Sequence, residues 1–263
     1  MTTALAPESL LTVSDLSVRF GGVQALADVS FTLEQDQILG VIGPNGAGKT
    51  TLFNAVSGLV RDYQGKISLG AHDLRGKHPQ QIVGLGLRRT FQNIRLFKSL
   101  SVIDNVLAGE HLAIHESVFD SAFRTPRYHR QEGTAVKRAQ QTLAFVGLGG
   151  ADPGDMASSL PYGGQRRLEI ARALVGYPRV LMLDEPAAGM NATESRSLGG
   201  MIKRIAGTGI GVLLVEHDMR VIMSVCDRIV VLNFGRLIAQ GTPEQIRSDP
   251  EVVRAYLGDE ASA

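Results

Sequence analysis

The chain has 263 residues, 44% hydrophobic and 20% charged, and its 27 Lys plus Arg nearly cancel 26 Asp plus Glu. This composition excludes global disorder, and a net charge of +1 gives no electrostatic reason for nucleic acid or anionic lipid as the main partner. A single cysteine, Cys226, excludes an internal disulfide and a cysteine metal cluster.

No uninterrupted apolar stretch is long enough to span a bilayer, and the N-terminal residues lack the basic start and apolar run of a secretory signal. The sequence reads as a soluble, cytoplasmic, globular protein without internal repeats or low-complexity tracts. Glycine is the skewed residue, 30 of 263, so many tight backbone positions are wanted.

In chain order, residues 11–20 and 29–33 alternate apolar and polar positions, as half-buried antiparallel strands do. Residues 37–42 end in a buried run that breaks into Gly43-Pro44-Asn45-Gly46-Ala47-Gly48, and 49–59 read as a helix. A stretch from 101 to 147 has helical spacing. Its middle, 119–131, mixes Arg, His, Ser, Thr and Pro and is expected to be a loop between helices. Residues 163–175 form an amphipathic helix stopped by Gly176 and Pro178.

Residues 180–183, 211–215 and 228–232 are continuous apolar runs, the pattern of parallel strands buried on both faces. Asn191 and Glu194 form a capping pair for the helix that follows. Residues 233–240 suggest a hairpin, and two short helices end the chain. The fold class is α/β: a P-loop core with an N-terminal antiparallel β layer and an inserted α-helical lobe. It is one domain over 1–263, with the lobe at about 93–160.

The segment Gly43-Pro44-Asn45-Gly46-Ala47-Gly48-Lys49-Thr50 fits GxxxxGK(S/T) between a buried strand and a helix, the context that gives the motif meaning. Small residues let consecutive N–H groups turn inward around the β- and γ-phosphates at a helix N-terminus. Lys49 brings charge to those oxygens, and the Thr50 hydroxyl is a ligand for Mg²⁺. Thr51 follows on the same turn.

After the apolar residues Val180-Leu181-Met182-Leu183 come Asp184 and Glu185, at the strand edge where ligands of open parallel sheets collect. Asp184 is expected to hold Mg²⁺ opposite Thr50, and Glu185 to polarise the attacking water. His111 and His115 lie four apart, but no carboxylate stands between them and no cysteine is near, and a zinc site is rejected. Arg124, Arg127, Arg130, Lys137 and Arg138 read as a solvated face.

With these motifs in place, the chain resembles the ATP-binding subunits of ABC transporters from about residue 10 to 258. The resemblance implies roles for further residues. Phe20 matches the aromatic residue that stacks on adenine. Gln92 matches the Q-loop glutamine that reaches Mg²⁺ and the attacking water, and His217 the switch histidine at the γ-phosphate. Leu160-Pro161-Tyr162-Gly163-Gly164 takes the place of the signature that completes the opposite subunit's ATP site. Residues 187–191 match the loop that communicates between subunits.

Longer phrases, such as Arg89-Thr90-Phe91-Gln92-Asn93 and Ala255-Tyr256-Leu257-Gly258, resemble the branched-chain amino acid importers, and the 109–145 stretch their ATPase subunit with the longer helical lobe. Urea and short-chain amide importers share much of the pattern, and a soluble ABC ATPase outside transport is the remaining alternative. The resemblance implies ATP and Mg²⁺, a second and non-identical ATPase subunit, two membrane permease subunits and an extracytoplasmic binding protein. It implies no nucleic acid, and a place on the inner face of the cell membrane. The signature departs from the family pattern, with Pro161 where Ser is usual and Gly164 where Gln is usual.

Overall fold

The computed structural model describes residues 9–111 and 126–260; at 111, 126–132 and 257–260 only the backbone is described. The chain divides into two compact units, Met1–Leu87 with Arg179–Ala263, and Arg88–Pro178.

In the first unit, β1 (Ser9–Phe20) and β2 (Val23–Glu34) pair antiparallel, with Leu11 opposite Leu33 and Val13 opposite Phe31. These four side chains are buried, so the period-two alternation points one face of the hairpin inward. After β3 (Ile38–Ile42) and α1 (Lys49–Val56), β4 (Gln64–Leu69) and β5 (His72–Asp73) extend this layer in the order β2-β1-β4-β5. The short helix α2 (Pro79–Gly84) follows, and strand β6 (Leu87–Arg89) spans the boundary between the units.

The second sheet also takes β7 (Val180–Asp184), β8 (Gly211–Val215), β9 (Arg228–Asn233) and β10 (Arg236–Gly241), in the order β10-β9-β3-β8-β7-β6. Strands β9, β3, β8 and β7 run parallel, and β10 folds back antiparallel on β9. Residues of both sheets share one apolar core, in which Leu11, Leu16 and Leu33 join Leu39, Met182, Leu213 and Val230. Burial of such side chains is worth roughly 1.5–3 kcal/mol each, so the two layers are held mainly by apolar packing.

The second unit is helical: α3 (Val102–His111), α4 (Pro126–Phe145), a 3₁₀ turn (Ala157–Ser159) and α5 (Tyr162–Leu174). Helix α4 begins at Pro126, inside the segment expected to be a loop. Proline suits a helix's first turn, because its missing N–H has no partner there anyway. Arg138 departs from the expected solvated face: it pairs with the buried Glu110 and stacks 5.4 Å from the Tyr177 ring. Lys137 is exposed as expected. His115, Arg124 and the side chains of His111, Arg127 and Arg130 lie outside the described residues.

Back in the first unit, α6 (Ala192–Ala206) starts on the expected cap. The Asn191 side chain accepts from the Thr193 and Glu194 N–H groups at 2.9 and 3.0 Å, and Glu194 accepts the Asn191 N–H at 2.9 Å. Helices α7 (Met219–Val225), α8 (Pro243–Ser248) and α9 (Pro250–Glu260) complete the chain. Among the described residues, no helix is long and apolar enough to cross a membrane.

Candidate functional site

The sheet order brings the expected residues of the first unit together. Strand β8 lies between β3 and β7, all three parallel. The residues after their C-terminal ends therefore meet at one edge: the 43–50 loop after β3, Glu216 and His217 after β8, and Asp184 with Glu185 at β7. Ligands of open α/β sheets bind at that edge.

The loop is shaped by close backbone approach. At Gly43 (φ 151) a Cβ would lie 2.1 Å from the Leu232 carbonyl oxygen. At Gly48 (φ 104), the N-cap of α1, it would lie 2.8 Å from the Ala25 oxygen. Only glycine fits both places. Asn45 and Gly46 are exposed at the tip, while Ala47 is buried and Pro44 partly so.

Buried Lys49 donates through Nζ to the Gly43 carbonyl at 2.6 Å and to the Pro44 carbonyl at 2.8 Å, holding its ammonium inside the loop. Burial lowers its pKa, and the nearby Glu185 charge works the other way. Thr50 is exposed and Thr51 half-buried on the first turn of α1. The loop thus presents closely packed backbone, a held cation and a hydroxyl at a helix N-terminus, features that suit phosphate.

Glu185 sits at φ 47, a strained region for a side-chain-bearing residue. Its N–H donates to Val215 of β8 at 2.9 Å, and its Oε1 lies 2.7 Å from His217 Nε2. The expected catalytic carboxylate and switch histidine are therefore in direct contact.

Sequence reasoning missed Glu216. It is buried, accepts the Ala187 N–H at 2.5 Å and the His217 N–H at 3.2 Å, and also takes the Asp218 N–H. Burial raises its pKa, against the lowering by these three N–H groups. One carboxylate thus ties the 187–191 loop to His217. Its signal in the sequence was the repeat of the β7 pattern, an acid directly after a wholly apolar strand.

Phe20 ends β1 with half its surface exposed, which removes a core role and leaves the ring available for stacking. Gln92 and the signature belong to the second unit. Gln92 is exposed. Pro161 is the N-cap of α5 without a side-chain cap bond, Tyr162 is exposed, and the Gln165 amide donates to the Leu160 carbonyl at 2.9 Å. At Gly164 a Cβ would meet Leu160 at 3.3 Å, tight but not blocked.

A glycine-cradled lysine loop, with carboxylates at the neighbouring parallel strands, defines a P-loop nucleoside triphosphatase. The ABC transporter family model matches residues 26–188, and that of the branched-chain amino acid ATP-binding cassette transporter matches 236–262. The chain belongs to the ABC transporter family, as one of its ATP-binding, ATP-hydrolysing subunits.

It is 44% identical over 253 residues to the high-affinity branched-chain amino acid transport ATP-binding protein LivG of Escherichia coli (strain K12), covering 96% of this chain and 99% of that protein. It is 43% identical over 251 residues to BraF of Pseudomonas aeruginosa, a protein of the same description, covering 95% and 98%. A crystal structure of an ABC transporter's ATP-binding cassette in its ADP conformation superposes with a TM-score of 0.82 at 30% identity, covering 95% of this chain and 99% of the other.

Proposed function

We propose that the chain powers an importer of branched-chain or related hydrophobic amino acids. The observation that carries the cargo is the match of residues 236–262, outside the general cassette, to the branched-chain transporter model. The two bacterial relatives named for that transport support it.

ATP lies with its β- and γ-phosphates in the 43–50 loop and its adenine on Phe20. Lys49 turns from the loop carbonyls to the phosphate oxygens. Glu185 takes a proton from the attacking water, and His217 holds that carboxylate and reaches the γ-phosphate. Thr50 and Asp184 would hold Mg²⁺, and Gln92, in the second unit, has the role the family pattern gives it. Hydroxyl, carboxylate and amide oxygens suit a hard cation, and no cluster of three His, Cys, Asp or Glu able to hold a metal occurs among the described residues. When bound, the ion neutralises phosphate charge. Catalysis is otherwise positioning.

The 160–164 signature completes the ATP site of a second, non-identical ATPase subunit. Pro161 brings neither hydroxyl nor N–H to that contact, so this chain closes poorly on itself. The pair sits beneath two permease subunits at the inner membrane face, and a binding protein delivers the cargo outside.

The test is reconstitution of the chain with its co-purifying membrane proteins and uptake of labelled leucine, isoleucine, valine or urea. ATP-dependent uptake of the amino acids, lost in Glu185→Gln, is the expected result. Uptake of urea alone overturns the cargo, and co-purification without any permease overturns the transport role.

A further inference from the structure

Residues 90–100 of the second unit form neither helix nor strand. Backbone groups of such a segment need partners wherever water does not reach them. Two buried side chains of α5 supply several. Arg166, wholly buried, donates from Nη1 to the Phe91 carbonyl at 2.7 Å and from Nη2 to the Gln92 carbonyl at 2.6 Å. Its Nη1 also reaches Glu169 Oε2 at 2.6 Å. The other oxygen of Glu169, itself buried, accepts the Arg95 N–H at 3.1 Å.

One turn on, the Arg172 guanidinium lies 5.4 Å from the Phe97 ring. Positions 166, 169 and 172 recur every three residues, so one face of α5 grips the segment. From α3, the buried Asn105 accepts the Phe97 N–H at 2.9 Å and donates to the carbonyls of Phe97 and Ser101, each at 3.0 Å. Gln92 keeps its side chain exposed while its carbonyl is held.

We propose that Arg166 and Glu169 are positioning residues that lock the backbone bearing Gln92 to the helix bearing the signature, so that the two move as one piece. The inference rests on the roles proposed above for Gln92 and the signature. Apolar residues of similar volume would pack α5 as well as a buried ion pair, often better. They could not fix two successive carbonyls, which the planar guanidinium fork does. The pair therefore specifies one position for the segment, at a desolvation cost that stability alone does not require.

Two variants of the full chain in its assembled transporter test this. Arg166→Lys keeps the charge beside Glu169 but loses the fork. Arg166→Met with Glu169→Leu removes both charges, so no unpaired ion stays buried. Both should bind ATP within about twofold of the parent, and turnover should fall by up to about a hundredfold, as small misplacements of catalytic groups do. In a Gln92→Ala background the same changes should cost less than about twofold, because residues acting through one another are not additive.

Hydrogen exchange of the amides at 91–97 should quicken, with α5 still protected. Equal losses of turnover in both backgrounds would overturn the proposal. So would parental turnover in the Met/Leu variant, or unchanged protection of 91–97. If Gln92→Ala itself turned over at the parental rate, the role of Gln92 would fail, and the exchange measurement alone would decide the lock.

Discussion

Two irregular segments carry the expected chemistry, and they are built in opposite ways. The 43–50 loop of the first unit is shaped by missing side chains: at Gly43 and Gly48 a Cβ would strike the backbone of Leu232 and Ala25. The 91–101 segment of the second unit is shaped by added ones, the buried polar groups of Asn105, Arg166 and Glu169. The first arrangement brings two stretches of backbone close together and leaves few alternatives. The second fastens a segment that carries an exposed glutamine, Gln92. One loop should fail when an atom is added, the other when a side chain is removed.

The largest effect should come from adding that atom. Gly43→Ala should destabilise the first unit by about 3 kcal/mol or more, from the backbone clash and the strain of its φ, and abolish ATP binding. Gly46→Ala is the control: its φ is 77 but nothing lies within 4 Å of a Cβ, so only about 1–2 kcal/mol of left-handed strain is due. Denaturant melts with bound-nucleotide assays check both, and equal costs would mean that close backbone approach does not shape the loop.

Removing a side chain tests the other half. Asn105→Ala leaves the Phe97 N–H and two carbonyls to find new partners, and should cost about 2–3 kcal/mol by the penalty of unmet buried groups. Exchange should quicken at 97–101 while the 43–50 loop keeps parental protection. Loss of protection in both segments would mean that they are not separately built.

Phe20→Ala should weaken ATP and GTP equally, by roughly 1–3 kcal/mol, since stacking does not read base edges. With no Trp in the chain, calorimetry or a labelled nucleotide is the readout. Unchanged affinity would make the exposed ring idle.

The smallest effect concerns Glu216. Burial raises its folded pKa above the unfolded value, so the folded chain holds the proton more tightly. That contribution to stability is fully present below the unfolded pKa and is lost as pH rises through the folded one. Glu216→Gln should flatten this part of the profile of melting temperature against pH. An unaltered slope would mean that Glu216 does not titrate there.

Much of the first unit was legible. The strands at β3, β7, β8 and β9 stand out because strands buried on both faces are continuous apolar runs, and the Asn191–Glu194 cap because its chemistry is local. The 43–50 motif carried its own geometry. Strands β4 and β5 and helix α2 were not resolved individually, being short and held mainly by pairing with distant residues. The start of α4 was missed because the polar mixture before Gln131 looks like a loop. Arg166 and Glu169 were illegible for a deeper reason: charged residues three apart on an amphipathic helix look like its wet face. Only the tertiary structure shows them at 0% and 1% exposure. Arg138 misled in the same way.

We propose that the first unit hydrolyses ATP at Glu185, held by His217 2.7 Å away beside the loop that binds phosphate. The direct measurement is ATP affinity and turnover of Glu185→Gln in the assembled transporter. The substitution removes the base and leaves the glycine cradle, Lys49 and Thr50 untouched. Affinity should stay at the parental value while turnover falls by about 10²–10⁴-fold, the range of a lost general base. Turnover close to that of the parent would place the chemistry on another residue.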